Sequence, residues 1–164
     1  MNVFIPYAVP VRVASVLDAR RLNKQIIECE WLLNAKEGDR VFKHPAVQMW
    51  QNNKDWVDLY RAALLAYRDG DIRLSIELSN QAVRIQPDFF WFNPLFQQHR
   101  SRLYTKDPEH YAIFESFGKS DINFYIHRVG DRLLLVRTQN GRYLPKIDIT
   151  DDIRRKRRGF YGNI

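Results

Sequence analysis

Arg21-Leu22-Asn23-Lys24-Gln25-Ile26-Ile27-Glu28-Cys29-Glu30-Trp31-Leu32-Leu33 is the stretch that decides the fold class. Leu22, Ile26, Cys29 and Leu33 recur at spacings of four, three and four. At about 100° per residue they form one narrow apolar stripe. Arg21, Lys24 and Glu28 fall roughly opposite, within about 60° of one another. One amphipathic helix therefore presents a packing face and a compact Arg/Lys/Glu face.

Working outward, the helical pattern extends in two parts from Val11 to Ala35 and stops at Gly38. His44-Pro45-Ala46-Val47-Gln48-Met49-Trp50 reads as a short helix with proline in its first turn. Asn53 is placed to cap a helix from Lys54 to Arg68, with Trp56, Leu59, Tyr60, Ala63 and Leu64 as its core stripe. After an Asp69-Gly70-Asp71 turn, Ile72 to Ile85 repeats Leu74, Leu78 and Ala82 every four residues until Pro87 ends the helix. The aromatic loop Phe89-Phe90-Trp91-Phe92 leads into a helix from Leu95 to Thr105 and a helical turn from Asp107 to Phe117. Then the period changes. Phe124–Arg128, Arg132–Arg137 and Arg142–Lys146 are rich in strand formers, and Gly130-Asp131 and Asn140-Gly141 between them suit tight hairpins. The expectation is a mainly α protein. A compact domain of five helices over 1–118 would carry a small antiparallel β-meander over 119–150 and a basic tail over 151–164.

Composition bounds the function classes. The 164 residues carry 26 Lys and Arg against 19 Asp and Glu, a formal charge of +7. Five of those cations, Arg154, Arg155, Lys156, Arg157 and Arg158, crowd into the last twelve residues with no acid, leaving +2 on the other 152. Such a run suits a polyanion, because each phosphate it neutralises releases condensed counterions. It equally suits a solvated tail, and Phe160-Tyr161 beyond it can stack on bases or dock on the body. No apolar run is long enough to span a bilayer, and the N-terminus lacks the form of a secretory signal. The single cysteine, Cys29, cannot close an internal disulfide or build a cysteine zinc site. A reducing, cytoplasmic home with no membrane contact and no metal is expected. With neither a glycine-rich phosphate loop nor a Gly-x-Ser-x-Gly elbow, nucleotide hydrolysis and serine-hydrolase chemistry drop away.

Two stretches can carry chemistry. Lys24 and Glu28 are four apart, which makes either a surface ion pair or a carboxyl able to act as an acid or to steady a cationic sugar. His99-Arg100-Ser101-Arg102-Leu103-Tyr104, followed by Lys106-Asp107-Pro108-Glu109-His110-Tyr111, has the residue types that contact phosphate, or else forms a solvated helix end. Trp31, Trp50 and Trp56 read as core. Trp91, in the irregular loop, stands apart from them.

Taken together, four pieces resemble a known family. They are Met1-Asn2-Val3-Phe4; Leu17-Asp18 with Arg21-Leu22-x-Lys24-Gln25-x-x-Glu28; His44-Pro45-Ala46-Val47-x-Met49-Trp50; and His99-Arg100-Ser101-x-Leu103 with Lys106-Asp107-Pro108-Glu109-His110-Tyr111. In this order, over residues 1–117, they resemble the pyrimidine-dimer DNA glycosylases of the phage endonuclease V type, and more nearly their bacterial and phage relatives than the founding repair enzyme. The resemblance implies a monomer that acts on double-stranded DNA without a small-molecule cofactor. It removes a damaged pyrimidine from a flipped nucleotide and, as an AP lyase, nicks the strand. An N-terminal amine would attack the sugar C1′, assisted by Glu28. The founding enzyme has a small second residue that lets the initiator methionine leave. Asn2 is large, so Met1 is expected to stay; Met1 or Asn2 would offer the amine, with Lys24 as a further candidate. Arg21, Gln25, His44, His99, Arg100 and Arg102 would contact the DNA, with Arg154 to Arg158 adding non-specific affinity. The meander and basic tail have no counterpart in the founding enzyme. Two other readings therefore stand beside the enzyme: a DNA-binding module that has lost the chemistry, and a phage-type protein-interaction factor.

Overall fold

In the computed structural model, residues 3–161 are described, with side chains through Gly159. Met1 and Asn2, and the side chains of Phe160 and Tyr161, lie outside the described residues. Backbone contacts divide the chain into two compact units, with the boundary after Pro87.

The first unit is helical. Helix α1 (Pro10–Val16) and helix α2 (Ala19–Asn34) are the two parts expected of the first helical stretch. Asp18 separates them and caps α2 by accepting from the Arg21 N–H at 2.9 Å. Helix α3 (Pro45–Trp50) follows, with His44 at its N-cap, where Nδ1 accepts from the Ala46 N–H at 3.1 Å. Helix α4 (Lys54–Arg68) buries Trp56, Tyr60, Ala63 and Leu64, as its stripe requires. Asn53 occupies the preceding position but forms no side-chain cap. Gly70, with φ of 87°, turns the chain into helix α5 (Ile72–Arg84), which Asp71 caps through the Leu74 N–H.

Helix α5 corrects the sequence reading. Its buried residues are Ser75, Ser79 and Ala82, while Ile72, Leu74, Ile76 and Val83 face solvent. Small side chains let it lie close to its neighbours and bond to their backbone. The Ser75 hydroxyl donates to the Ala63 carbonyl at 2.8 Å, and the Val11 N–H donates to the Ser79 hydroxyl at 2.8 Å. A count of apolar residues misses a contact made by hydroxyls.

The second unit begins with a 3₁₀ turn over Asp88–Trp91, followed by helix α6 (Asn93–Lys106) and a 3₁₀ segment over Ala112–Phe117. Phe89, Phe90 and Phe96 pack edge to face, with centroids 5.3–5.5 Å apart. Strands β1 (Ile122–Val129) and β2 (Arg132–Gln139) form an antiparallel hairpin with Val129 opposite Arg132. At the next turn Asn140 and Gly141 both have positive φ, as the tight Asn-Gly hairpin requires. The third strand is broken into β3 (Arg142–Tyr143) and β4 (Ile147–Asp148), each paired with β2. Pro145 lies in the gap, and a proline has no N–H to give the ladder.

The expected basic tail is helix α7 (Thr150–Tyr161) through its described part. Asp148 accepts from the Thr150 N–H at 3.0 Å and the Thr150 hydroxyl at 2.6 Å. Those bonds, led by the hydroxyl, hold its carboxyl down to a pKa of about 2. Asp151 and Asp152 occupy the first turn and the cations follow, the arrangement a helix dipole favours. Ile153 is buried and anchors the helix.

Candidate active site

The N-terminal segment is where the first unit departs from a plain helical bundle. Val3, Phe4 and Ile5 are all buried. A buried extended segment must have its backbone polar groups satisfied. The Phe4 N–H donates to Gln25 Oε1 on α2 at 2.8 Å, and the Phe4 carbonyl accepts from the Tyr60 hydroxyl on α4 at 2.7 Å. Two helices thus clamp one residue from both sides. Tyr60 is itself held in an aromatic stack: Trp50 lies on Trp56 and Trp56 on Tyr60, each pair with centroids 5.0 Å apart.

The clamp also sets the surroundings of Glu28. With Gln25 Oε1 taken by Phe4, the Gln25 amide group turns its NH₂ to Glu28 Oε2, 3.4 Å away. The other carboxyl oxygen lies 3.9 Å from Lys24 Nζ. The Glu28 side chain is only 6% exposed, whereas Lys24 is 68% exposed. Glu28 is therefore not half of a solvated surface pair. The buried arc of α2 runs from Leu22 and Ile26 round to Gln25 and Glu28, wider than the apolar stripe predicts, because the N-terminal segment hydrogen-bonds to that flank.

Nearby groups are kept protonated. Burial, then Cys29 and Glu28, push the Tyr60 hydroxyl well above its ordinary range, so it remains a donor. Burial and then Glu28 push the Cys29 thiol up, against a smaller opposing pull from Arg61. A thiol held neutral in this way is inert as a nucleophile. The arrangement offers a sequestered carboxyl and fixed donors but no activated side-chain nucleophile on the buried face.

The structure brings Lys24, Gln25 and Glu28 together on α2, with Arg21 on the same helix paired back to Asp18. His44 serves α3 as its cap, and burial lowers its pKa. The remaining predicted contacts belong to the second unit. His99 on α6 is 1% exposed, and burial together with Arg102 lowers its pKa to about 3, so it is a neutral interior side chain. Arg102 donates to the Ser120 carbonyl at 3.2 Å, and Arg100 lies over the Phe117 ring at 5.0 Å. On α7, Arg157 pairs with Asp88 at 2.8 Å, Arg154 with Asp131 at 3.6 Å and Arg155 with Asp152 at 3.0 Å. Lys156 and Arg158 are exposed. Arg128 joins Asp88 from β1 at 3.2 Å, and Asp88, Arg128, Asp131, Arg154 and Arg157 line a cleft of about 220 Å³.

Tyr60 is core, as its stripe predicts, and the partner that a buried tyrosine needs for its hydroxyl is the Phe4 carbonyl. Trp31 read as core but is 58% exposed, beside Ile27 at 48%.

Compared with known proteins, residues 1–66 match the family model described as pyrimidine dimer DNA glycosylase, which supports the family resemblance. The matched stretch contains the whole clamp: Phe4, Gln25, Glu28 and Tyr60. No curated protein sequence and no solved structure matches the chain. Among the described residues, no helix is long and apolar enough to cross a membrane, and no three His, Cys, Asp or Glu side chains gather as a metal site would require.

Proposed function

We propose, from the pyrimidine dimer DNA glycosylase match over residues 1–66, that the chain excises a damaged pyrimidine from double-stranded DNA by means of an N-terminal amine and the Glu28 carboxyl. One observation carries the reading: a single glutamine, Gln25, binds both the N-terminal segment at Phe4 and the buried carboxyl of Glu28. Two extended residues span at most about 7 Å, which is the reach this reading requires of the segment before Val3. An α-amine has a reference pKa of about 7.7–8.0, so a useful share of it is neutral at pH 7–8. Asn2 would carry the amine if Met1 were removed.

The amine nitrogen forms a bond to C1′ as the C1′–N bond to the base breaks, and the base leaves with a proton. Glu28 supplies that proton or steadies the positive charge spreading over the sugar. Loss of the amine proton and ring opening leave a C1′ imine. Removal of a C2′ proton then expels the 3′ phosphate, which is the lyase step. The reaction requires the nucleotide to leave the base stack. Arg21, Arg100 and the α7 cations Arg154, Arg155, Lys156, Arg157 and Arg158 hold phosphates.

A panel of duplexes bearing single damaged pyrimidines, incubated with wild type and Glu28→Gln, tests the reading. Base release by wild type, lowered about 10²- to 10⁴-fold in the variant, supports it. Salt-dependent binding with no base release from any duplex supports the binding module instead.

A further inference from the structure

Helix α2 exposes its largest apolar side chain next to its buried carboxyl. Trp31 is 58% exposed and Ile27 48%, and they lie four residues apart on one turn-to-turn line. At about 100° per residue, Arg20, Lys24, Ile27 and Trp31 fall within about 60° of one another. Glu28 lies about 60° from Trp31 and one turn away along the axis. Covering an exposed apolar surface of this size is favourable.

We infer that the Trp31–Ile27 surface is where an unstacked base of a disrupted duplex docks, stacking on the indole while the Glu28 face meets the sugar. The inference rests on the glycosylase reading and deepens it. Charge complementarity selects the occupant. The cations Arg20 and Lys24 share the arc and are exposed. The neighbouring acid, Glu30, lies about 100° round the helix from Trp31 and faces Arg61 at 3.9 Å. A flat π face bordered by cations fits a base with its adjoining phosphates. Removing one nucleotide from a stack leaves its neighbours and its former partner short of stacking contacts, and an apolar side chain held at that level replaces them.

The test compares the full-length wild type, Trp31→Ala and Trp31→Phe. Each is titrated by anisotropy into an intact duplex and into one carrying a single tetrahydrofuran site opposite 2-aminopurine. Trp31→Ala should keep the wild-type melting temperature, since the side chain is largely in water. It should lose about fivefold or more in affinity for the interrupted duplex, the low end for one base stacked on an aromatic ring. Affinity for the intact duplex, set by phosphates, should stay within about twofold. Protein-induced quenching of the 2-aminopurine should disappear in Trp31→Ala and persist in Trp31→Phe. Equal preference for the two duplexes by wild type, or an unchanged preference in Trp31→Ala, overturns the inference. So does a self-associating wild type that Trp31→Ala renders monomeric. Tetrahydrofuran cannot be cleaved by an amine, so this readout is independent of turnover. A chain that discriminates through Trp31 yet releases no base sinks the glycosylase reading alone. One that releases base without using Trp31 sinks the docking alone.

Discussion

The Gln25–Glu28 flank of α2 and the charged face of α7 treat polar side chains in opposite ways. On α2 a few polar groups are buried and each has a specific partner: Phe4 N–H on Gln25, Gln25 on Glu28, Tyr60 on the Phe4 carbonyl. On α7 many charges stand in solvent with ion partners of their own, Arg157 on Asp88 and Arg155 on Asp152. Buried polar groups cost desolvation unless every one is satisfied, so such a network is expensive to keep and sensitive to loss. Exposed ion pairs contribute little and exchange partners freely. Under the proposed glycosylase reading, chemistry falls to the first unit and sequence-independent attraction to the second.

The largest effect that would break this contrast is expected at Glu28, where substitution by glutamine should abolish most turnover and leave salt-dependent DNA affinity close to wild type. A variant with wild-type base release would make the buried carboxyl structural.

His99 sharpens the comparison from the second unit. Its pKa is about 3 when folded against an ordinary 6.5. The folded state holds it neutral while the unfolded chain takes a proton below pH 6.5. Its contribution to stability is therefore full above pH 6.5 and is lost as pH falls toward 3, by roughly 1.4 kcal/mol per pH unit. Denaturant melts of wild type and His99→Gln between pH 7 and 4.5 should show the variant with the shallower acid limb. Parallel limbs would mean that His99 is solvated.

Gln25→Leu comes next. It strands the Phe4 N–H in the interior and should cost about 1–3 kcal/mol of stability, read by urea titration. It should also lower base release beyond any loss of folded protein, because the N-terminal segment loses its tie to α2. Undiminished activity per folded molecule would uncouple the clamp from the chemistry. Asp88→Ala should have the smallest effect. It removes the exposed partner of Arg128 and Arg157 and should change stability by about 1 kcal/mol or less, while raising DNA affinity modestly by freeing two guanidinium groups. Weaker DNA binding would overturn the role given to the α7 cations.

Legibility in the sequence followed the range of the interaction. Helices α2 and α4 and both hairpin turns rest on local periodicity and on Gly70, Gly130, Asn140 and Gly141, and all were readable. The packing face of α5 was not, because Ser75 and Ser79 make it with hydroxyls and the conspicuous Leu74 stays outside. Helix α7 carried a signal that the run of cations obscured: Asp148 as cap, Asp151 and Asp152 in the first turn, and Ile153 as anchor. At the site, Glu28 stood out on the helical wheel and by resemblance. The clamp was invisible because it joins Phe4 to side chains 21 and 56 positions away, a distance that no local pattern encodes. Trp31 was misplaced for a similar reason. A tryptophan on an amphipathic helix is assigned to the core unless the arc that neighbours cover is known.

The central claim is that the amine of the first residue reaches the sugar beside Glu28. The most direct measurement is borohydride trapping of the full-length protein on an abasic-site duplex, followed by peptide mapping of the adduct. The account predicts a reduced sugar on the α-amine of the first residue, formed by wild type and scarce in Glu28→Gln. An adduct on Lys24, or none at all, would contradict it.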